Sequence, residues 1–333
     1  MAFAISKAVG IYSFCRNVKR QPVLKGYVVY SEFIYSCLLY ILNAMNPGPG
    51  MSSSLLDAIF LSEKRKNLLM LLKEEGPKSG EEIKNAFDFP WKSMIPQIKK
   101  LVDLGLVIQK DGMYALSEMG VVIATNVQFL LNTLKIYEEN RAFWSDHDLS
   151  PIPFHLLTRA GELGQCKVLK PDLSHIFKVQ EDIAKFMLDS SRIMVFLSAL
   201  HPAYPRLCSK FLEKGIDVTI ILTESVFETL RDDCRSESPT FSSDSLVLNM
   251  ALPEYKKKIQ RLLNGETSTF FVYEGEKKPM MLIVTDKIFA LSLLYNNGRV
   301  DRNYIVSFEP GALKWGEELF EYYKEISRQV SSI

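Results

Sequence analysis

The sequence predicts an α/β fold in two parts, an N-terminal winged helix-turn-helix and a C-terminal α/β domain with a mixed sheet. Three observations carry that expectation. Residues 55–117 run helix, helix, short helix, turn, helix, β-hairpin. Past residue 150, buried-strand runs alternate with helical ones. Composition breaks at Asn46-Pro-Gly-Pro-Gly50, which no helix or strand tolerates.

Composition sets the outer limits. The 333 residues suit two domains. Lys and Arg number 40 against 39 Asp and Glu, a net of +1, with 47% hydrophobic and 24% charged residues. That balance excludes a disordered, collagen-like or polytopic membrane chain. It also excludes a nucleic-acid binder that is basic throughout, but not one with a local basic face. Five cysteines, an odd count without a CxxC, argue against a disulfide framework or zinc knuckle. The four histidines have no paired-ligand spacing. No catalytic residue, metal ligand or cofactor is expected.

Residues 1–50 stand apart. They hold five basic side chains and one acid, Glu32, and Tyr27–Met45 is an apolar or weakly polar run. Three readings stay open: an upstream-extended start that is not native, with Met51 as the true beginning; a membrane or surface anchor; and an interaction arm. The first is preferred, because a globular pattern begins at Met51. Without this leader the chain has 35 basic and 38 acidic residues, a net of −3.

Residues 51–145 are assigned to the winged helix. Leu55, Leu56, Ile59 and Phe60 recur at helical spacing, and Leu68, Leu69, Leu71 and Leu72 mark a second helix stopped by Gly76-Pro77. Ser79 and Glu82 form a capping-box pair that opens a short helix. A further helix spans about Trp91 to Leu104 and stops at Gly105. Pro96 suits only a first turn, so a later start near Ser93 is the alternative. Residues 106–117 read as two strands around Asp111-Gly112, and a long helix follows from about Glu118 to Phe143.

In a winged helix the helix after the turn enters the DNA major groove and the hairpin touches the backbone. Met94, Ile98 and Leu101 form the inner stripe of that helix. Lys92, Ser93, Pro96, Gln97, Lys99 and Lys100 lie opposite, and from Lys92 to Lys110 there are four lysines and one acid. The expected DNA-binding residues are Lys92, Ser93, Gln97, Lys99, Lys100 and Lys110, the lysines on phosphates and Ser93 and Gln97 on base edges. The plain alternatives are a solvated helix face or a winged helix that binds protein. The long helix offers Val121, Val122, Leu130, Leu131, Leu134 and Tyr137, for pairing with a twin in a homodimer or for packing on its own domain.

Residues 146–333 form the second domain. Strands are expected at Arg192–Ser198, Ile216–Leu222, Thr269–Tyr273, Met280–Thr285, Phe289–Leu294 and Tyr304–Ser307. Helices are expected at Tyr204–Lys214, from about Ser225, at Lys256–Leu263 and at Gly311–Arg328. His201, Tyr204 and Thr223 follow strand ends, where α/β sheets commonly bind ligands, so they are candidates for an effector pocket. The alternative is that His-Pro and Tyr-Pro only shape a loop. Cys208 and Cys234 are read as packing residues rather than redox sensors.

The strand order resembles half of a phospholipase D-like domain. Active members carry His-x-Lys-x-x-x-x-Asp, where this chain has Pro279, Met281 and Asp286. A prolyl ring cannot attack phosphorus and a thioether cannot bind its anion, so the resemblance implies a non-catalytic relative.

From Met51 to about Lys324 the chain resembles archaeal, chiefly methanogen, winged-helix transcriptional regulators with a methanogenesis-regulatory C-terminal domain. The carrying segments are Ser54-Leu-Leu-Asp-Ala-Ile-Phe-Leu-Ser-Glu-Lys-Arg-Lys66, Pro96-Gln-Ile-Lys-Lys-Leu101, Asp148-Leu-Ser-Pro-Ile-Pro153, Ile220-Ile-Leu-Thr-Glu224 and Trp315-Gly-Glu-Glu-Leu-Phe-Glu-Tyr-Tyr323. The resemblance implies a DNA-binding regulator whose C-terminal domain receives a signal, and the expectation for the whole chain is a cytoplasmic regulator that binds double-stranded DNA and senses a small-molecule effector or protein partner. The rival classes are a phospholipase D-like phosphodiesterase and a scaffold that binds no DNA.

Overall fold

A computed structural model describes residues 55–170, 181–199, 207, 210–211, 213–235 and 268–330. The expectations for the leader and for a helix at 256–263 lie outside them. The chain divides into two compact units, 1–125 and 126–333, and the division falls inside one long helix.

The first unit is a winged helix. Helix α1 (Leu55–Phe60) leads into α2 (Glu63–Glu75), whose N-cap is Ser62. A two-residue strand, β1 (Lys78–Ser79), precedes α3 (Gly80–Ala86). The capping box is formed: Glu82 N–H donates to Ser79 Oγ at 3.2 Å, and Ser79 N–H donates to Glu82 Oε2 at 2.7 Å. Helix α4 spans Trp91–Asp103 with Pro90 as its N-cap. The later start near Ser93 is not taken, and Pro96 sits inside the helix. The first turn is tightened instead, because both Ser93 N–H and Ser93 Oγ donate to the Pro90 carbonyl.

Strands β2 (Val107–Lys110) and β3 (Met113–Leu116) pair antiparallel around Asp111 and Gly112, both at positive φ. Two left-handed residues at a hairpin corner define a type I′ turn, whose twist matches the flanking strands. Strand β1 joins the far edge of β3, a pairing the sequence reading did not include. Two residues carry no readable period, so only the pairing reveals that strand.

The long helix is α5 (Glu118–Glu139), and α6 (Arg141–Asp146) follows it after a break at Asn140. One continuous helix to Phe143 was expected. Asn140 leaves the helical region at φ −125° and ψ 35°, and its buried amide donates toward the Ile136 carbonyl and Cys166 Sγ. Among the described residues, α5 alone is long and apolar enough to cross a membrane by length and composition.

The second unit is a mixed eight-stranded sheet covered on both faces. After α7 (Phe154–Leu157) and a 3₁₀ turn at Ala160–Leu163 come β4 (Cys166–Leu169), α8 (Glu181–Leu188), β5 (Arg192–Leu197) and β6 (Asp217–Thr223). Then follow α9 (Glu224–Arg235), β7 (Ser268–Tyr273), β8 (Met281–Thr285), β9 (Phe289–Ser292), β10 (Tyr304–Ser307), α10 (Pro310–Glu325) and β11 (Arg328–Val330). The strand order is β11-β7-β6-β5-β8-β9-β10-β4. Strands β5, β6 and β7 run parallel, and the other neighbours pair antiparallel.

This is the mixed sheet the sequence predicts. Its inner strands read as unbroken apolar runs because both faces are buried. One face packs Ile193, Val195, Ile220 and Ile283 against Met187 of α8 and Phe227 of α9. The other packs Phe196, Ile221, Leu282 and Phe289 against Trp315, Leu319 and Tyr323 of α10. Edge strand β4 and helix α8 were not foreseen. The last residues leave α10 to pair with β7 as β11, where a helix to Arg328 was expected. That pairing places Arg328 beside Glu224 and Glu274, both 3.3 Å away.

Candidate nucleic-acid interface

The inner stripe of α4 is as expected: Met94, Ile98 and Leu101 are buried. They fix the helix and turn its other face to solvent. Lys92 and Lys99 are exposed there, Lys100 is half-buried, and Lys110 is exposed beside the hairpin tip. None of these four lysines has an ion-pair partner among the described residues. Asp103 is the one acid on the helix and lies in its last turn.

Ser93 and Gln97 are placed differently from the lysines. Lys64 Nζ, on α2, donates to Ser93 Oγ at 2.7 Å and lies 5.1 Å from the centre of the Phe89 ring. Arg65 Nη1 donates to Gln97 Oε1, and its Nε donates to the Ala58 carbonyl. Ser62 Oγ reaches the same Gln97 oxygen at 3.5 Å. Both polar side chains therefore stitch α4 to α2. Their spacing on α4 gave no sign of partners about thirty residues earlier.

The outward positions between the lysines are apolar. Ile95 is 49% exposed and Pro96 is exposed. Residues 92, 95, 96 and 99 follow the three- and four-residue steps that share one helix face.

In the second unit, His201 and Tyr204 lie outside the described residues. Thr223 ends β6 and is 2% exposed, with Oγ1 3.2 Å from Ser225 Oγ. The carboxyl end of β5 beside it is closed by Ser198, whose hydroxyl donates to the Pro279 carbonyl at 2.5 Å. Pro279 and Met281 stand at one end of β8, and Asp286 follows the other end. Asp286 accepts from Ser191 N–H and Oγ. Burial would raise its carboxyl, but hydrogen bonds from Ser191 and Ser190 outweigh this and hold it below the ordinary value. Among the described residues no group of histidine, cysteine and carboxylate side chains could hold a metal.

An open recess of about 490 Å³ lies at the amino ends of β5 and β6, away from Thr223. Its two lysines are engaged: Lys214 donates to the Leu188 carbonyl at 2.9 Å and Lys287 donates to the Asp189 carbonyl. Cys208 lies outside the described residues, and Cys234 is placed only by its backbone in α9. Burial, then the charge of Glu139, pushes the Cys166 thiol up to about 11. A thiol so poorly ionised at neutral pH is unreactive.

The sequence reading passed over His147 and Asp301, both buried. His147 Nε2 lies 2.8 Å from Asp301 Oδ2, and Nδ1 lies 2.7 Å from the Phe143 carbonyl. Its ring stacks between Phe143 and Tyr295, with centroids at 4.5 and 4.6 Å. The two partners are 154 positions apart in sequence, so no local motif marks them.

Residues 176–248 and 242–326 match the family described as "Methanogenesis regulatory protein FilR1, middle domain". The methanogenesis regulatory protein FilR1 of Methanothrix harundinacea (strain 6Ac) is 24% identical over 271 residues. Those residues are 81% of this chain and 56% of that protein, so the chain spans about half the length of its curated relative. The two matches support kinship with an archaeal regulator family. Among solved structures, TrmBL2, described as an archaeal chromatin protein with a novel mode of DNA binding, aligns over 83% of this chain and 97% of its own. It is 13% identical, with a TM-score of 0.34. Phosphatidylserine synthase of Haemophilus influenzae Rd KW20 aligns over 45% of this chain and 36% of its own, at 12% identity and a TM-score of 0.30. Scores at that level carry no inference.

Proposed function

We propose that this chain is a DNA-binding transcriptional regulator. One observation carries the reading: α4 turns Lys92 and Lys99 to solvent, with Lys100 on its flank and Lys110 at the hairpin tip, and none of the four has an ion-pair partner among the described residues. A helix presented this way suits the major groove, and the hairpin suits the flanking backbone. The match to a methanogenesis regulatory protein supports the same class.

The second unit is proposed to receive a small-molecule effector or a protein partner and to act by shifting populations between a binding and a non-binding arrangement. Thr223, with His201 and Tyr204, is the proposed contact. A homodimer is proposed through α5, where Leu130, Leu134 and Tyr137 are exposed at helical spacing. The cytoplasm is the proposed location. No catalysis is proposed, because Pro279 and Met281 stand where a phospholipase D-like site has His and Lys.

The test is duplex binding by the full chain across a salt series. Four phosphate contacts give a log–log slope of about −3 to −4. Lys99→Glu with Lys100→Glu is expected to weaken binding about 100-fold and flatten the slope by about 2. Unchanged binding sinks the reading. Turnover of a phosphodiester substrate favours the enzyme, and a selection that enriches no duplex favours the scaffold.

A further inference from the structure

The DNA-binding reading leaves open what α4 recognises in the groove. Its polar candidates are committed elsewhere: Ser93 receives the Lys64 ammonium and Gln97 receives the Arg65 guanidinium. Moving either side chain to a base edge would break those hydrogen bonds and unstitch α4 from α2 at that point. The side chains left facing outward are Ile95 and Pro96, between Lys92 and Lys99.

Burial of apolar side chains is the general reason for a helix to keep them, yet Ile95 is half-exposed while Met94 and Ile98 beside it are buried. The flanking lysines are seven residues apart, about 10 Å along the helix axis. A face with two cations around an apolar centre complements a surface with phosphates at its rims and apolar atoms between. The major groove is such a surface wherever it presents thymine, whose C5-methyl group is the apolar feature on the base edges there.

We propose that Ile95 and Pro96 are specificity-determining residues that read thymine methyl groups in the major groove, between phosphate contacts made by Lys92 and Lys99. This rests on the DNA-binding reading and goes beyond it by naming the chemistry recognised. It moves base recognition from hydrogen bonding to apolar contact. The duplexes bound tightest should then carry thymine under the centre of α4, and polar edges there should be read poorly.

The experiment uses the full chain and the tightest duplex recovered by selection from a random-sequence DNA pool. That duplex is resynthesised with deoxyuridine replacing thymidine one position at a time, which removes only the methyl group. The expected result is at least one central position where the replacement weakens binding about fourfold, the worth of one buried methyl. Ile95→Ala should bind both duplexes at the weaker level, bringing their ratio to about one. Ile95 is half-exposed, so this variant should fold, and the uridine series on the unaltered chain needs no variant at all. Equal binding of every uridine duplex overturns the proposal, as does an Ile95→Ala protein that keeps the fourfold ratio. Retention of no duplex overturns the DNA reading and this proposal together. Duplex binding that is indifferent to uridine but lost with Lys99→Glu overturns this proposal alone.

Discussion

The two units differ in where their charges are paired. The winged helix leaves Lys92, Lys99, Lys100 and Lys110 without ion-pair partners among the described residues. The sheet unit joins distant segments with ion pairs, Arg159 with Glu318, Arg192 with Glu317, and Arg328 with Glu224 and Glu274, whereas the winged helix pairs Lys78 with its near neighbours Glu75 and Glu82. The cores differ as well. The sheet unit buries large aromatic side chains such as Trp315, Phe289, Phe320 and Tyr323, whereas the winged helix is held chiefly by leucine, isoleucine and methionine. Charges spent on internal pairs hold a shape. Charges left unpaired beside a packed apolar stripe are available to an outside partner.

The largest test of this contrast is Trp315→Ala. Trp315 is fully buried, donates from Nε1 to the Leu156 carbonyl at 2.8 Å and meets Phe289 edge-on at 5.6 Å. The substitution is expected to cost the sheet unit about 3–5 kcal/mol, read as an earlier transition in urea. A loss below about 1 kcal/mol would mean that α10 is not the cover of that face.

The glutamate substitutions at Lys99 and Lys100 should do the reverse. DNA binding falls about 100-fold while the urea transitions move little, because Lys99 is exposed and neither lysine has an ion-pair partner among the described residues to lose. Ser79→Ala is a smaller change, confined to the winged helix. It removes the acceptor of the capping box and should cost about 1 kcal/mol, against a few tenths for Ser79→Gly.

Asp286→Asn is the smallest. The folded carboxyl lies below its ordinary value of 3.8, so the ionised form contributes stability at neutral pH that is lost as pH falls through the folded value. The variant should melt slightly below the parent at pH 7, and the two should converge as the pH falls through the folded value. A gap that persists in acid would assign the effect to packing instead of charge.

The winged helix was the more legible unit. The Ser79 capping box, Gly105 after α4 and the Asp111-Gly112 corner are local devices, each set by side-chain and backbone chemistry within a few residues. The mixed sheet was legible in outline, because strands buried on both faces leave apolar runs such as Ile193 to Leu197. Its edges were less so: β4 and β11 are only four and three residues long, and their sequence carries no period that separates strand from loop.

The sequence by itself determined the helices and the hairpin of the winged helix, though not strand β1, where its corner turns, and that lysines concentrate between residues 92 and 110. Only the tertiary structure decided which side chains on α4 remain available. Ser93 and Gln97 look equivalent to Lys92 and Lys99 on a helical projection. They differ because α2 packs alongside and supplies Lys64 and Arg65 from 29 and 32 residues away. The pairing of His147 with Asp301 was decided in the same way. A hydrogen bond depends on distance in space, and residues far apart in the chain acquire that distance only when the elements between them have packed.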